Sequence, residues 1–256
     1  MRRHKLVALL LWWSTWLATA QAQWSVASSE SEFSNGRRVE HRHIVATSAA
    51  GDEATLDVAL FSSKTATLRV IDDPTSSSEL SEIMPRNNGI AGVNGGYFDP
   101  QHAPVGLLIS DGRVVMKQQK ARLLSGVVSV VNGRVQVQRA AEFSLKSKPT
   151  AARQCGPFLV EAGKAITGLN NEREARRTFV FTTAGDRAAI GLSSHLTLSE
   201  LGNLLASPGV LGDAQVQRAL NLDGGSSSGF WFAGERGAFS ISEGKTVRDY
   251  LAVVPK

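Results

Sequence analysis

The sequence predicts an α+β fold, in which a strand-rich mixed sheet is flanked by a few helices. Apolar and polar residues alternate from residue 54 onward, which is typical of strands with one buried face. Asp-Gly at 111–112 and Asn-Gly at 132–133 separate short apolar runs, as in tight hairpins. Only two segments have the spacing and capping residues of a helix. The 256 residues, 42% of them hydrophobic, suit one globular domain.

The first 22 residues are predicted to be a signal peptide. Arg2, Arg3 and Lys5 precede an apolar run at 6–17, and small residues suited to signal peptidase follow at 18–22. The run is shorter than the ~20 residues that a membrane-spanning helix needs, so we expect cleavage and no stable membrane anchor. This leads us to expect a bacterial periplasmic or secreted protein.

Cleavage would lower the formal charge from +5 to +2, because residues 1–22 hold three positive charges and no negative one. A nearly balanced chain does not favour nucleic acid as a partner. Cys155 is the single cysteine, so no intrachain disulfide can form, which is more typical of a bacterial than of a eukaryotic secreted domain. Since no His lies near it in the sequence, we expect Cys155 to be a small buried residue rather than a nucleophile.

Residues 23–50 are polar and are expected to lead into the domain, which we assign to residues 51–256. The basic run at 37–43 contains His41 and His43. We expect a solvated edge or an entering strand there, with a polyanion contact as the alternative. Two histidines alone are a weak metal signature, so a surface strand is the preferred interpretation of the pair.

Each predicted element of the domain has a local cause. Alternation predicts a strand at 54–60, and serines followed by Pro85 predict a helix over 76–84. Thr197 and Glu200 form a capping box, which predicts a second helix. The other predicted strands are 67–72, 106–109, 114–115, 127–131, 135–137, 179–182, 187–192, 219–222, 230–232 and 251–254.

Two glycine-rich polar turns carry most of the functional information. Residues 94–99 read Asn-Gly-Gly-Tyr-Phe-Asp, and residues 221–227 read Asn-Leu-Asp-Gly-Gly-Ser-Ser. Paired glycines let the backbone approach a ligand closely. Asn offers a donor and an acceptor to sugar hydroxyls, and Asp offers a carboxylate for acid, base or charge chemistry. Together the turns would line a polar cleft with paired carboxylates; the alternative is two purely structural turns.

The second turn partly matches two known catalytic or binding motifs, but the residues around it do not fit either of them. Residues 225–229 match the G-x-S-x-G nucleophile elbow, which needs a following helix and a later His. An apolar run starts at Phe230 instead, and the last histidine is His195, upstream. The turn also lacks the Gly-Lys-Ser/Thr ending of a phosphate loop. Neither an α/β-hydrolase nor a P-loop protein is therefore expected.

Several short motifs follow one another in a characteristic order. They lie at 94–99, 104–107, 154–160, 177–178, 187–191, 198–205 and 221–227. This order resembles the phosphodiester glycosidase domain family, over roughly residues 50–254. Each motif alone is weak, whereas the series is specific. Cys155 and Ser226 depart from the residues typical of the family at these places.

The resemblance implies hydrolysis of a sugar-1-phosphodiester, between the anomeric carbon and the phosphate, on a glycan or glycoconjugate. It implies Asp223 as the leading catalytic carboxylate, Asp99 as its acid/base partner and Arg177 as the cation that holds the phosphate. The implied substrate-binding residues are Asn94, Gly95, Gly96, Gly156, Asn221, Gly224, Gly225, Ser226 and Ser227. The sequence requires no cofactor and assigns no metal site, although the two carboxylates and a phosphate would suit a divalent cation.

Two other functions remain open on the sequence alone. One is a non-catalytic module that binds anionic glycans of the cell envelope, and the other is a phosphodiesterase that cuts the other phosphate bond. Presence of both aspartates together with Arg177 favours the glycosidase, because a pure binder needs no carboxylate beside a phosphate. The sugar, the alcohol part, the anomeric outcome and the oligomeric state do not follow from the sequence.

Overall fold

The computed structural model describes residues 24–256, so the predicted signal peptide lies outside the described residues. The strands are β1 Ser25–Phe33, β2 Val39–Thr47, β3 Glu53–Ser62, β4 Ala66–Asp72, β5 Ala91–Asn94, β6 Leu108–Ser110, β7 Arg113–Met116, β8 Gly126–Val131, β9 Arg134–Arg139, β10 Ala151–Cys155, β11 Phe158–Glu161, β12 Lys164–Ala165, β13 Ala175–Thr183, β14 Arg187–Leu196, β15 Val216–Asn221, β16 Phe230–Gly234, β17 Gly237–Ile241 and β18 Asp249–Pro255. The helices are α1 Leu80–Arg86 and α2 Leu198–Ala206, with 3₁₀ turns at Asn35–Arg37, Leu145–Ser147 and Gly225–Ser227.

These strands form three sheets. The largest has eight strands in the order β1-β2-β3-β14-β13-β15-β11-β12. One five-stranded sheet has the order β7-β6-β10-β8-β9, and the other has the order β17-β16-β5-β18-β4. Every pairing between these strands is antiparallel. The connections bring β5, β10 and β15, one from each sheet, to the region of the candidate site.

The eight-stranded sheet has exposed edges, and its β3 strand is buried on both faces. Along β3, Leu56, Val58 and Leu60 join a core that also contains apolar residues of α2. Ala59 and Phe61, which point to the opposite face, join a second core shared with strands of the two smaller sheets. The predicted alternation along this strand therefore divides residues between two apolar cores, not between core and solvent.

The predicted hairpins at residues 111–112 and 132–133 are confirmed. Asp111 and Gly112 have φ angles of 50° and 77°, and Asn132 and Gly133 have φ angles of 50° and 70°. Two consecutive positive φ angles are those of a type I′ turn, whose twist matches antiparallel strands. The β13–β14 pair and the capping box of α2 are also as predicted.

The first helix begins later than predicted. Residues 76–84 were expected to be helical, but α1 spans Leu80–Arg86 and contains Pro85. The serines before it form a separate turn, in which Ser76 has a φ of 48° and the Ser78 N–H donates to Asp73 Oδ2 at 3.1 Å. The residue at the N-cap of α1 is therefore Glu79 and not a serine, and its side chain makes no capping hydrogen bond.

The fold class is only partly as expected. Strands account for 49% and helices for 11% of the described residues, so the protein is mostly β. The expected mixed sheet is absent from residues 24–256, where all the pairings within the three sheets are antiparallel. Within the stretch expected as a polar lead-in, β1 and β2 form one edge of the large sheet. No helix among the described residues is long and apolar enough to cross a membrane.

The histidine pair on β2 differs from the surface feature that we expected. His41 is 6% exposed and packs against the rings of Phe230, Phe232 and Phe239. The Nε2 of His41 and the Nδ1 of His43 lie 2.9 and 3.0 Å from the same Asp57 oxygen. The pair therefore satisfies a buried carboxylate of the neighbouring strand.

Candidate active site

The two glycine-rich turns meet in the structure although they lie far apart in the sequence. The Asp223 N–H donates to the Gly95 carbonyl at 3.1 Å. The Asn94 side-chain amide donates to the Asp223 carbonyl at 2.8 Å. These bonds connect the end of β5 to the turn after β15, and so place Asp223 at the junction of two sheets.

Asn94 is fully buried and is used within the protein. Its Oδ1 accepts hydrogen bonds from the Thr178 hydroxyl at 2.6 Å and from the Gly229 N–H at 3.2 Å. Together with the bond to Asp223, these contacts use both ends of the amide. We expected Asn94 to orient sugar hydroxyls, but the structure places it behind the site, where it holds the Asp223 turn.

Gly95 and Gly96 make room for a buried ion pair. A Cβ at Gly95 would lie 1.8 Å from Asp249 Oδ1, and one at Gly96 would lie 2.5 Å from the Arg153 guanidinium carbon. The side chains of Arg153 and Asp249 are both 0% exposed, and their Nε and Oδ1 are 2.9 Å apart. These glycines are therefore explained by packing against protein atoms, not by contact with a ligand.

A pocket with a cavity volume of about 370 Å³ opens beside this junction. Its wall contains one carboxylate, two guanidinium groups, polar side chains and a few apolar residues. The lining residues are Tyr97, Leu123, Asn170, Arg173, Ala175, Arg177, Leu198, Asn221, Asp223, Gly224 and Gly225. Of the predicted site residues, the structure thus brings Arg177, Asn221, Asp223, Gly224 and Gly225 together.

Asp223 is largely removed from water. Burial raises the pKa of its carboxyl group, and the nearby Asp249 adds to the rise. Two groups lower the pKa of Asp223. The Gly224 N–H donates a hydrogen bond to Asp223 Oδ1 at 2.9 Å, and the Ser227 hydroxyl lies nearby without making a hydrogen bond of ordinary geometry. Burial is the largest effect, so Asp223 holds a proton more readily than an exposed aspartate.

Arg177 is a buried cation without a counterion. Its side chain donates from Nε to the Leu196 carbonyl at 2.9 Å and from Nη2 to the Arg173 carbonyl at 2.5 Å. No carboxylate of residues 24–256 forms an ion pair with it, and burial lowers the pKa of its guanidinium. A Cβ at Gly224 would lie 3.9 Å from its Nη1, which places this nitrogen close to the Asp223 turn. An unpaired buried guanidinium favours an anionic ligand.

Asn221 presents an unsatisfied acceptor. Its Nδ2 donates to the carbonyls of Gly156 and Leu222 at 3.0 and 2.6 Å and to the Tyr97 hydroxyl at 3.2 Å. Because its donors face these acceptors, its Oδ1 is the remaining group, and that buried oxygen has no partner. A ligand hydroxyl or N–H in the pocket would satisfy it.

Tyr97 and Gly156 support Asn221. The Tyr97 hydroxyl donates to the Gly156 carbonyl, and burial raises the pKa of this phenol. Gly156 does not line the pocket, and a Cβ there would lie 2.1 Å from the Leu123 carbonyl. The neighbouring Cys155 is fully buried, and burial raises the pKa of its thiol to about 12. This agrees with the expectation that Cys155 is structural.

Asp99 is not brought to the pocket wall. Its Oδ1 accepts hydrogen bonds from the Gln101 and Ala103 N–H groups at 2.9 and 2.8 Å, so this carboxylate fixes its own turn. Ser226 is exposed and Ser227 is buried, and neither lines the pocket. No group of three or more His, Cys, Asp or Glu side chains in residues 24–256 is arranged to hold a metal ion.

The sequence did not single out several residues of this pocket. Tyr97 lies inside the glycine-rich turn at 94–99, yet only the structure shows that its hydroxyl accepts a hydrogen bond from Asn221. Arg173 was not among the predicted site residues, yet it lines the pocket. Leu123 and Asn170 belong to loops without any motif. Leu123 and Asn170 are far apart in the sequence and meet only in the folded chain, so no local pattern predicts that they line one pocket.

A second cavity of about 360 Å³ lies along β9 and the β13–β14 turn. Its charged side chains largely neutralise one another or nearby acids. Arg187 Nη1 lies 2.8 Å from Asp213, and Arg218 Nη1 lies 2.6 Å from Glu142. This cavity offers less uncompensated charge than the pocket around Asp223.

The family model described as phosphodiester glycosidase matches residues 87–254. The chain belongs to the phosphodiester glycosidase family. The matched region contains every residue that lines the Asp223 pocket. Among curated proteins, no sequence matches the chain.

Two solved structures have a fold similar to that of this phosphodiester glycosidase domain. The catalytic domain of zebrafish N-acetylglucosamine-1-phosphodiester α-N-acetylglucosaminidase, described as auto-inhibited by its pro-peptide, is similar with a TM-score of 0.66 and 15% identity, over 91% of this chain and 89% of that chain. A hypothetical protein from Synechocystis is similar with a TM-score of 0.60 and 13% identity, over 86% of this chain and 62% of that chain. At these identities the likeness concerns the fold.

Proposed function

We propose that this protein hydrolyses the bond between the anomeric carbon and the phosphate of a sugar-1-phosphodiester on a glycan or glycoconjugate. The observation that carries the proposal is the joint presence of Asp223 and the unpaired Arg177 in one pocket. Membership of the phosphodiester glycosidase family supports it. The name of the zebrafish enzyme, which has a similar fold, points to the same class of bond.

Arg177 is the proposed phosphate ligand. Its buried guanidinium offers N–H groups to a phosphodiester that has one negative charge, and the low dielectric of the pocket strengthens this contact. As the glycosidic bond breaks, negative charge grows on the departing phosphate. A preorganised donor aimed at such a charge contributes about 3–4 kcal/mol in other enzymes.

Asp223 is the proposed catalytic carboxylate. Breaking the anomeric C–O bond develops positive charge on the sugar, and a nearby carboxylate stabilises that charge, attacks the anomeric carbon or activates water. The leaving phosphate monoester is already a stable anion, so it needs little help from an acid. A single carboxylate in the pocket wall therefore suffices, and the absence of Asp99 from the lining residues does not weaken the proposal.

Asn221 is the proposed sugar contact. Its unpartnered Oδ1 would accept a hydrogen bond from a hydroxyl or amide N–H of the sugar. Gly224 and Gly225, which follow Asp223, add main-chain surface without side chains. In the complete reaction, water adds its oxygen to the anomeric carbon, and the phosphate monoester departs with the bridging oxygen.

The decisive experiment is hydrolysis of a panel of sugar-1-phosphodiesters in ¹⁸O-labelled water, with the products analysed by mass spectrometry. The proposal predicts free sugar that carries ¹⁸O and a phosphate monoester that does not. Label in the phosphate would instead show cleavage of the P–O bond by a phosphodiesterase. Binding of these compounds without any turnover would favour an anionic-glycan-binding module.

We further propose that the protein is exported after cleavage of residues 1–22, to the periplasm or outside the cell. The basic head and short apolar run at 6–17 support this. Expression of the full chain in a Gram-negative host, followed by cell fractionation and N-terminal sequencing, tests it. A mature chain that begins near residue 23 is expected, whereas an uncleaved chain in the cytoplasm would contradict it.

A further inference from the structure

The Asp223 pocket contains a second arginine to which the proposed hydrolysis of a simple phosphodiester assigns no role. Two arginines, Arg173 and Arg177, line the wall with a single acidic residue, Asp223. A phosphodiester supplies one negative charge, which the buried Arg177 neutralises in the proposed reaction. Arg173 then remains without a partner.

Arg173 is positioned by its backbone and not by its side chain. Its N–H donates to Asn170 Oδ1 at 3.0 Å, and its carbonyl accepts from Arg177 Nη2. Its guanidinium forms no ion pair with any carboxylate in residues 24–256, although Glu172 and Glu174 flank it in sequence. The pocket therefore contains an exposed, unpaired arginine, Arg173, four residues before the buried Arg177.

A loop of the same charge reaches the wall at its last residue, Leu123. Residues 117–123 are all exposed and include Lys117, Lys120 and Arg122, none of which forms an ion pair within the described chain. Gln154 anchors the loop at Gln119 and just after its last residue, because its Oε1 accepts from the Gln119 N–H and its Nε2 donates to the carbonyls of Gln119 and Leu124.

This loop reaches the pocket through Leu123. Leu123 lines the cavity, and its carbonyl packs against Gly156, whose own carbonyl accepts a hydrogen bond from Asn221. Arg122 is the next residue along the chain. Arg173 in the wall and the cations of the loop that reaches the pocket at Leu123 form no ion pair with any acid in residues 24–256, which favours a ligand with more than one negative charge.

We propose that the substrate carries a second anionic group, a phosphate or a carboxylate, on the alcohol part close to the scissile phosphodiester, and that Arg173 binds this group. The loop of residues 117–123 adds longer-range attraction. This inference rests on the proposed glycosidase function and narrows its substrate class. A chain of repeating sugars joined through phosphates would have this chemistry, as would a single phosphodiester of a sugar acid.

The test compares two synthetic phosphodiesters of the same sugar, which differ only in a phosphate or carboxylate on the alcohol part. The wild-type protein is expected to hydrolyse the charged substrate with a kcat/KM about tenfold higher at low salt, and this preference is expected to shrink as ionic strength rises. Arg173→Gln should reduce kcat/KM for the charged substrate about fivefold more than for the simple one. Lys146→Gln, an exposed lysine outside the pocket, should change neither.

A second measurement does not depend on turnover. Calorimetry measures how tightly the Asp223→Asn variant binds each of the two phosphodiesters. Tighter binding of the charged compound, lost in Arg173→Gln/Asp223→Asn, supports the second-anion contact even if neither compound is hydrolysed. Absence of turnover by the wild type would then overturn the proposed function alone. Equal binding and equal hydrolysis of the two compounds, or equal losses for both in Arg173→Gln, would overturn the second-anion contact.

Discussion

The Asn94 side chain holds the main chain of Asp223, through a 2.8 Å hydrogen bond from Nδ2 to the Asp223 carbonyl. Because Asn94 also accepts bonds from Thr178 and Gly229, it connects β5, β13 and the turn that carries the candidate catalytic carboxylate. All of these groups are buried or nearly so. Asn94 is therefore a positioning residue for Asp223, and its substitution should affect both folding and activity.

Asn94→Ala is expected to lower the free energy of unfolding by about 2–4 kcal/mol, because the Asp223 carbonyl and the Gly229 N–H would each lose a hydrogen bond to Asn94 and Thr178 would keep only its bond to Ser228. Urea denaturation measures this loss. The exposed Asn35→Ala should change stability by less than about 0.5 kcal/mol. In the folded fraction, Asn94→Ala should lower kcat more than it raises KM. Unchanged kcat would show that Asn94 does not position Asp223.

Asp223→Asn is expected to fold and to lose about 100-fold or more in kcat at neutral pH, since an amide provides no negative charge to the developing cation. Hydrolysis of a sugar-1-phosphodiester followed by mass spectrometry measures the loss. The matched variant is Asp99→Asn, because an amide oxygen can still accept the bonds from Gln101 and Ala103. Near-normal activity of Asp223→Asn would exclude its catalytic role, and a comparable loss in Asp99→Asn would restore Asp99 as a catalytic candidate.

The raised pKa of Asp223 also predicts how its contribution to stability depends on pH. The folded protein binds this proton more tightly than the unfolded chain. The associated stability is fully present below the ordinary carboxyl pKa and is lost as the pH rises through the raised pKa. Asp223→Asn lacks this loss, so its stability relative to wild type should increase from acid to neutral pH. Urea titrations at several pH values measure the trend, and a flat or opposite trend would contradict it.

Local signals in the sequence predicted the hairpins and the second helix. Asp111-Gly112 and Asn132-Gly133 adopt the positive φ angles that these dipeptides favour, and the capping box at Thr197 starts α2. Such features depend on a few neighbouring residues. The division into three antiparallel sheets depends on long-range pairing, which no local pattern encodes, and the mixed sheet was accordingly wrong.

The site was predictable in outline and not in detail. The two turns meet, as the hydrogen bond between Asp223 and Gly95 shows. A glycine pair indicates a close approach to the backbone but does not say whether a ligand or protein atoms approach. At Gly95 and Gly96 the neighbouring atoms belong to the ion pair of Arg153 with Asp249. These partners lie 96 positions apart, so their meeting has no signature in the sequence. The same holds for Asn94, whose amide faces the protein and not the pocket.

Arg177→Gln is expected to lower kcat/KM by a factor of about 100 to 1000, as the loss of a preorganised phosphate contact of about 3–4 kcal/mol requires. Steady-state kinetics on a sugar-1-phosphodiester provides the measurement. Inorganic phosphate should raise the Tm of the wild type and not that of the variant. The control is Arg176→Gln, since Arg176 contacts the Ser242 carbonyl and does not line the pocket. Equal losses in the two variants would contradict a specific role for Arg177.

The Arg153–Asp249 ion pair is expected to be essential for folding of the site region. The pair is fully buried, and Arg153 also donates to the carbonyls of Val105 and Tyr97, so loss of one partner leaves several buried groups unsatisfied. Arg153→Met or Asp249→Asn should each lower the free energy of unfolding by about 3–5 kcal/mol.

A double-mutant cycle isolates the pair itself. The coupling energy between Arg153 and Asp249, from urea denaturation, should be about 2 kcal/mol or more, because neither charge is solvated. The same cycle on Arg69 and Asp111, a bidentate pair at the surface, should give less than about 1 kcal/mol. A coupling energy no larger than that of the surface pair would mean that Arg153 supports the site through its carbonyl contacts and not through Asp249.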